Sequence, residues 1–142
     1  MSYDSNNIFA KILRNELPSV RVYEDDHSVA FMDIMPQAEG HLLVVPREPA
    51  ESLLDLSPQG AAAAIATVQK LARAVRVALD VPGVQVVQMN GPEAGQTVFH
   101  CHFHVIPRRA DAPLRAHAGG AEDPEKLRVL AERIRAVLAA HD

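Results

Sequence analysis

Cysteine is almost missing from this chain, and its scarcity narrows the chemistry at once. The single thiol, Cys101, has nothing to pair with in an internal disulfide. No apolar run approaches the ~20 residues that cross a bilayer, because charges or prolines interrupt the longest candidates. The polar opening Met1-Ser2-Tyr3-Asp4-Ser5-Asn6-Asn7 has neither the basic nor the apolar stretch of a secretory leader. A cytoplasmic protein without a membrane partner is the expectation. Positive charge is also short: 14 Lys and Arg against 18 Asp and Glu leave a formal net charge of -4. That excludes the broad basic face that nucleic-acid binding demands, while leaving room for a local basic cluster.

The 142 residues, 48% of them hydrophobic, suffice for one domain over 1–142 with its own core. Asn6 or Asn7 caps a short helix, Ile8 to Arg14, and Pro18 is expected to end it. The runs Val20 to Glu24 and Ser28 to Asp33 flank the turn formers Glu24-Asp25-Asp26-His27 and predict a hairpin. After a loop with Pro36 and Gly40, the segment from His41 to Pro46 reads as a buried strand. Ser57-Pro58 opens a long helix reaching about Leu79, with Ile65, Val68, Leu71, Ala72, Val75 and Leu79 at helical spacing. Val84 to Met89 is the next strand, and the segment 108–121 is irregular. A last helix over about 123–140 carries the stripe Leu127, Leu130, Ile134, Val137 and Leu138. Five strands with hairpin-like links predict an α+β fold: a five-stranded antiparallel sheet with helices packed on one face and the other face free for a ligand.

Against this background one motif stands out. In Val98-Phe99-His100-Cys101-His102-Phe103-His104-Val105-Ile106 a histidine recurs at every second position. Period two is a strand pattern, so the three imidazoles are expected on one face, roughly 7 Å apart, with Phe99, Cys101, Phe103 and Val105 buried on the other. Three chemistries fit such a row. Imidazoles at i and i+2 can converge on a divalent metal. One neutral imidazole can attack phosphorus while its neighbours orient it. The row can also be a solvated polar face. The preceding loop, with Gly91, Gly95, Gln96 and Thr97, gathers backbone N–H groups and polar side chains that suit an anion beside the histidines, which the metal reading does not require.

His100 to Ile106 resembles the His-apolar-His-apolar-His-apolar-apolar signature of the histidine triad (HIT) family of nucleotide hydrolases and transferases. The likeness extends in order through Ile8-Phe9-Ala10-Lys11-Ile12, Val22-Tyr23-Glu24-Asp25-Asp26, Ala30-Phe31-Met32-Asp33-Ile34, Pro36-Gln37-Ala38-Glu39-Gly40-His41, Val44-Val45-Pro46 and Gly95-Gln96-Thr97-Val98-Phe99. It covers a core of about 8–107. The resemblance implies a homodimer with a shared ten-stranded sheet, and hydrolysis at the α-phosphorus of a purine nucleoside phosphoramidate or dinucleoside polyphosphate, without a metal or other cofactor. It implies His102 as nucleophile, His104 on the phosphate or leaving-group side, and His100 and His41 as a network that orients the nucleophile. Asn90, Gly95, Gln96 and Thr97 would bind phosphate oxygens, and Asp33 would accept the ribose hydroxyls. Ile8, Phe9, Ile12, Phe31 and Ile34 would form the base slot, though at such spacing apolar residues ordinarily make core. Two other classes stay open: a nucleotide-binding regulatory module that turns over slowly, and a metal-binding protein using the histidine row.

The chain also departs from the family. Many bacterial members carry Cys-x-x-Cys and a further histidine for a structural zinc, where this chain has Asn7, Ala10 and Pro49. It lacks the tryptophan-bearing tail of the phosphoramidase branch, so the choice between the two hydrolase branches stays open. Arg108, Arg109 and Arg115 follow the histidines and are candidates for a polyphosphate leaving group, with a solvated loop as their plainer role.

Overall fold

Alternation along the strands decides which side chains meet which face. In the computed structural model, which describes residues 3–116 and 119–141, one antiparallel sheet is built from β1 (Arg21–Glu24), β2 (Ser28–Met32), β3 (Leu42–Pro46), β4 (Gly83–Val87) and β5 (Phe103–Arg108). Their order is β1-β2-β3-β5-β4. Ala30, Met32, Leu42, Val44, Phe103 and Val105 point to one face. There they meet Val68, Leu71 and Val75 of α2 (Pro58–Ala78) and Leu127, Leu130 and Ile134 of α3 (Pro124–His141). Their neighbours one position along, Val29, Phe31, Leu43 and Val45, point the other way.

The α+β class and five-stranded antiparallel sheet are as the sequence predicts. One helix breaks the one-face rule. α1 (Ile8–Leu13) lays Phe9 and Ile12 on the second face, against Phe31 and Leu43. That face is therefore roofed at one end rather than open, and the roof creates a cavity.

Local chemistry sets the helix ends. Asn7 caps α1 by accepting the Ala10 N–H. The chain leaves α1 before Pro18 is reached: Arg14 is the C-cap, and Asn15 takes φ 64°, a left-handed turn that asparagine tolerates. Ser57 caps α2 by accepting the Gly60 N–H, with Pro58 in the first turn. The buried face of α2 runs through Ala64, Thr67, Val68, Leu71, Ala74 and Val75. Ile65 sits one helical step off it and is 52% exposed, contrary to its place in the expected stripe. Single-turn helices at Leu53–Asp55 and Pro92–Ala94 lie where the sequence pattern gives no periodicity. Within the expected irregular segment, β5 runs on to Arg108 and an isolated bridge joins Arg109 to Ala112, while positions 117 and 118 lie outside the described residues.

Gly40 shows why the turn before β3 needs glycine. Its φ is +90°, and a Cβ there would stand 2.0 Å from Leu79 Cδ1. The turn delivers His41, fully buried, to the start of β3.

α3 is as much part of the core as the sheet, since Ile134 is 0% exposed. Ile134→Ala should lower the unfolding free energy by about 2–5 kcal/mol through lost burial and the cavity left behind. Urea denaturation measures this directly, and a change below about 1 kcal/mol would mean that α3 is a loosely attached appendage.

Candidate active site

Four buried histidines meet where β3, β5 and α1 come together. His41, His100, His102 and His104 are 0%, 1%, 6% and 4% exposed, so none belongs to a solvated face. Buried imidazoles require partners, and the partners here fix where each proton sits.

His102 is held by its Nδ1, 2.7 Å from the backbone carbonyl of His100. A carbonyl only accepts, so Nδ1 carries the hydrogen, and in the neutral ring Nε2 keeps its lone pair. Phe9 meets the His102 ring edge-on, with centroids 4.8 Å apart. On the other side stands His104, its centroid 5.2 Å away. His41 is fixed from the opposite direction. The Gln37 N–H donates to His41 Nδ1 at 2.9 Å, so the proton of His41 lies on Nε2 and is donated to His104 Nδ1, also at 2.9 Å. Asp33 Oδ2 lies 3.4 Å from the same Nε2. His104 consequently carries its own proton on Nε2.

The three-histidine row is not one strand face. β5 begins only at Phe103, and residues 98–100 form a bend. His102 and His104 line the cavity, whereas His100 turns away, with Nε2 donating to the Pro46 carbonyl at 2.7 Å. Phe99, expected in the buried set, is 38% exposed because the bend swings it out. Cys101 is buried as expected, and burial pushes its thiol up to about 12, which leaves it protonated and unreactive.

The cavity, of about 390 Å³, is walled by Ile8, Phe9, Ile12, Phe31, Asp33, Ile34 and Thr97, all expected from the sequence. It is also lined by Leu17, Met35, Leu43 and Val98, which sequence reasoning missed. Leu43 was findable, because it alternates in phase with His41 along β3. The walls are mostly apolar, and among the described residues no lysine or arginine lines them.

The loop before the histidines is arranged differently from the expectation. Gln96 is buried and its side chain is spent on the chain itself: Oε1 accepts the Gly91 N–H, and Nε2 donates to the carbonyls of Glu51 and Val98. Asn90 Oδ1 accepts the Leu53 N–H, outside the cavity. Gly95, at φ +101°, ends the single-turn helix. These three shape the loop, and Thr97 is its member on the cavity wall. The arginines at and beyond the end of β5 are engaged elsewhere: Arg108 with Gln85, Arg109 with the Leu79 carbonyl, and Arg115 with Glu122.

Two metal arrangements can be tested against these residues. Asn7, Ala10 and Pro49 offer no zinc ligand set, since Asn7 is occupied with its helix cap. Asp33, His41 and His104 place ligand atoms within 4.8 Å of one another. The Gln37 N–H nevertheless occupies His41 Nδ1, which puts a proton on the very nitrogen that would bind the ion. The donor pattern does not fit a metal there.

This fold and histidine cluster are those of the histidine triad proteins, and the chain belongs to that family: the HIT domain model matches residues 14–111. Bacillus subtilis "Protein hit" is 42% identical over 103 residues, covering 72% of this chain and 71% of that one. The Saccharomyces cerevisiae adenosine 5'-monophosphoramidase HNT1 is 41% identical over 106 residues, covering 75% of this chain and 65% of the yeast protein. Among solved structures, a Hit-like protein from Bartonella henselae superposes with a TM-score of 0.89 at 48% identity, over 96% of this chain and 99% of that one. A zinc-bound histidine triad protein from Mycobacterium smegmatis gives 0.86 at 35% identity, over 96% of both chains.

Burial lowers the pKa of His100, against a smaller opposing effect of its bond to the Pro46 carbonyl. An unfolded histidine titrates near ~6.5, so below that pH the unfolded chain takes up a proton that folded His100 refuses. Stability should therefore fall as pH drops from about 6.5 toward the lowered folded pKa. Urea midpoints from pH 8 to 5 should reveal the slope, and His100→Gln should remove up to one proton of it. An unchanged slope in that variant would refute the assignment.

Proposed function

We propose that the chain is a nucleotide hydrolase acting at the α-phosphorus of purine nucleoside phosphoramidates or dinucleoside polyphosphates, through a nucleotidyl group on His102. The observation that carries this reading is the bond from His102 Nδ1–H to the His100 carbonyl, which puts the lone pair of the neutral ring on Nε2, in a side chain on the cavity wall. Its lone pair forms the N–P bond while the bond from phosphorus to the amine, phosphate or nucleotide leaving group breaks, and the leaving group departs with a proton. Water then attacks phosphorus, releasing the nucleoside monophosphate and restoring the imidazole. His104, its Nδ1 occupied by His41, presents an Nε2–H to the phosphate or leaving group.

Asp33 suits the ribose hydroxyls, and the apolar walls suit a purine ring without discriminating strongly between bases. Thr97 and main-chain donors of its loop would meet phosphate oxygens, with Asn90, Gly95 and Gln96 acting through loop shape. The likeness to HNT1, a phosphoramidase by name, supports the reaction class. A homodimer is part of the same proposal. β4 is an outer strand that pairs with β5 alone, and Val86 on it is 45% exposed. Pairing β4 with its copy would extend the sheet to ten strands.

His102→Ala should lower turnover of adenosine 5'-phosphoramidate by several orders of magnitude while nucleotide affinity stays within about tenfold, because the change deletes a bond-forming step. Mass spectrometry of acid-quenched enzyme should place the nucleotidyl group on His102. An adduct on His100 or His104, or an active His102→Ala protein, refutes the assignment; tight binding with no turnover by the unmodified chain would favour a regulatory module. Light scattering should give twice the 15.4 kDa chain mass at micromolar concentration, and a stable monomer would count against the shared sheet.

A further inference from the structure

We propose that Tyr3 is a positioning residue for the reaction at His102: its hydroxyl, aimed by Asn7, donates to His100 Nδ1 and so fixes the residue whose carbonyl orients the nucleophile. The inference rests on the hydrolase reading above. Tyr3 and Asn7 lie outside the segment matched by the family model, which begins at residue 14.

The polarity of the chain of bonds is set at both ends by backbone groups. At one end, Asn7 Oδ1 must accept, because its partner is the Ala10 N–H at 2.9 Å. That turns the Asn7 amide nitrogen outward, where it donates to the Asp4 carbonyl at 2.8 Å and to Tyr3 Oη at 2.9 Å. At the other end, His100 Nε2 must donate, because Pro46 offers only a carbonyl. His100 Nδ1 is then an acceptor buried with its ring, and the hydroxyl that meets it is that of Tyr3. Tyr3 already receives a hydrogen from Asn7, so its own hydrogen is available for His100. The two rings meet edge-on, with centroids 5.6 Å apart at 71°.

Two consequences follow for catalysis. A proton on His100 Nδ1 would face the Tyr3 hydrogen, so the clasp opposes protonation of His100. Among the described residues, the titratable side chains bonded to this residue are Tyr3, at its ring, and His102, at its carbonyl, while Glu48 and Asp55 act on the neighbouring Cys101. Displacing His100 also displaces the carbonyl that holds the His102 proton. Asn7 ties in the other side of the nucleophile, since it caps the helix whose Phe9 packs on the His102 ring.

Tyr3→Phe and Asn7→Asp separate this role from simple packing. Phenylalanine keeps the ring and loses the donor. Aspartate keeps the helix cap but can only accept at neutral pH, so it draws the Tyr3 hydrogen away from His100. Both variants should lower kcat for adenosine 5'-phosphoramidate by about ten- to hundredfold with KM within about threefold, the scale expected of a misplaced reacting group. In both, nitrogen-15 NMR titration should place His100 protonation at higher pH than in the unmodified protein, and the acid limb of kcat should move the same way. Unchanged kcat and titration in a folded Tyr3→Phe protein would overturn the proposal. So would a loss of activity that tracks melting temperature with no movement of the His100 titration. Lack of turnover by the unmodified chain would strike the hydrolase reading itself, and Tyr3's part in it, whereas loss of the Tyr3 effect in an active enzyme strikes the clasp alone.

Discussion

A neutral imidazole has one proton, and which nitrogen holds it decides whether the other can attack, accept or donate. In this site the decision is made by main-chain groups that have no choice of role. The carbonyls of Pro46 and His100 can only accept, and the N–H of Gln37 can only donate. Each is anchored by fold: Pro46 ends β3, His100 lies in the bend before β5, and Gln37 precedes the turn into His41. Four side chains of ambiguous polarity are thereby reduced to one arrangement of protons. The proton positions of His102, of His104 beside it and of His41 behind that follow without further specification.

Burial makes this arrangement stringent. Taking a histidine out of water without its hydrogen bonds costs on the order of 1–3 kcal/mol for each unmet group, so a misaligned backbone is penalised at each ring. The register of the sheet meets this demand directly. Leu43 pairs with His104, and Leu42 with Val105, so β3 supplies apolar cover on one face and His41 beside His104 on the other. α2 and α3 fill the opposite side with aliphatic residues, which holds β3 and β5 in place. The site depends on tight packing of a face it never touches.

What the sequence made legible follows from what periodicity can encode. Four of the five strands, the caps at Asn7 and Ser57 and the α3 stripe are local patterns, readable within a residue or two of their observed limits, whereas the histidine strand begins only at Phe103. The cavity residues from Ile8 to Ile34 were readable through family likeness, since apolar spacing alone would have assigned them to core. Other features had no local signal. A period-two row from His100 to His104 looks like one strand face, but a bend at 98–100 is a tertiary outcome, and it separates His100 from its neighbours. Gln96 and Asn90 look like ligand groups in a glycine-rich loop. Only the folded chain reveals that backbone partners at Glu51, Gly91 and Leu53 already use their amides.

The apolar character of the cavity bears on how charge would be handled there. Among the described residues its lining holds no guanidinium or ammonium group, and Arg108, Arg109 and Arg115 are bound to Gln85, the Leu79 carbonyl and Glu122. A phosphate entering this space would depend on oriented dipoles, namely Thr97, main-chain N–H groups and the Nε2–H of His104. Such donors stabilise charge through fixed direction rather than magnitude, so they lose more from small displacements than a mobile cation does. That places a premium on rigidity at both ends of the site. The sheet supplies it behind His104 through His41 and Gln37. In front of His102 it comes from α1, whose Asn7 cap is bonded through Tyr3 to His100. A hydrogen-bonded clasp thus tethers the start of α1 to the residue whose carbonyl holds the His102 proton.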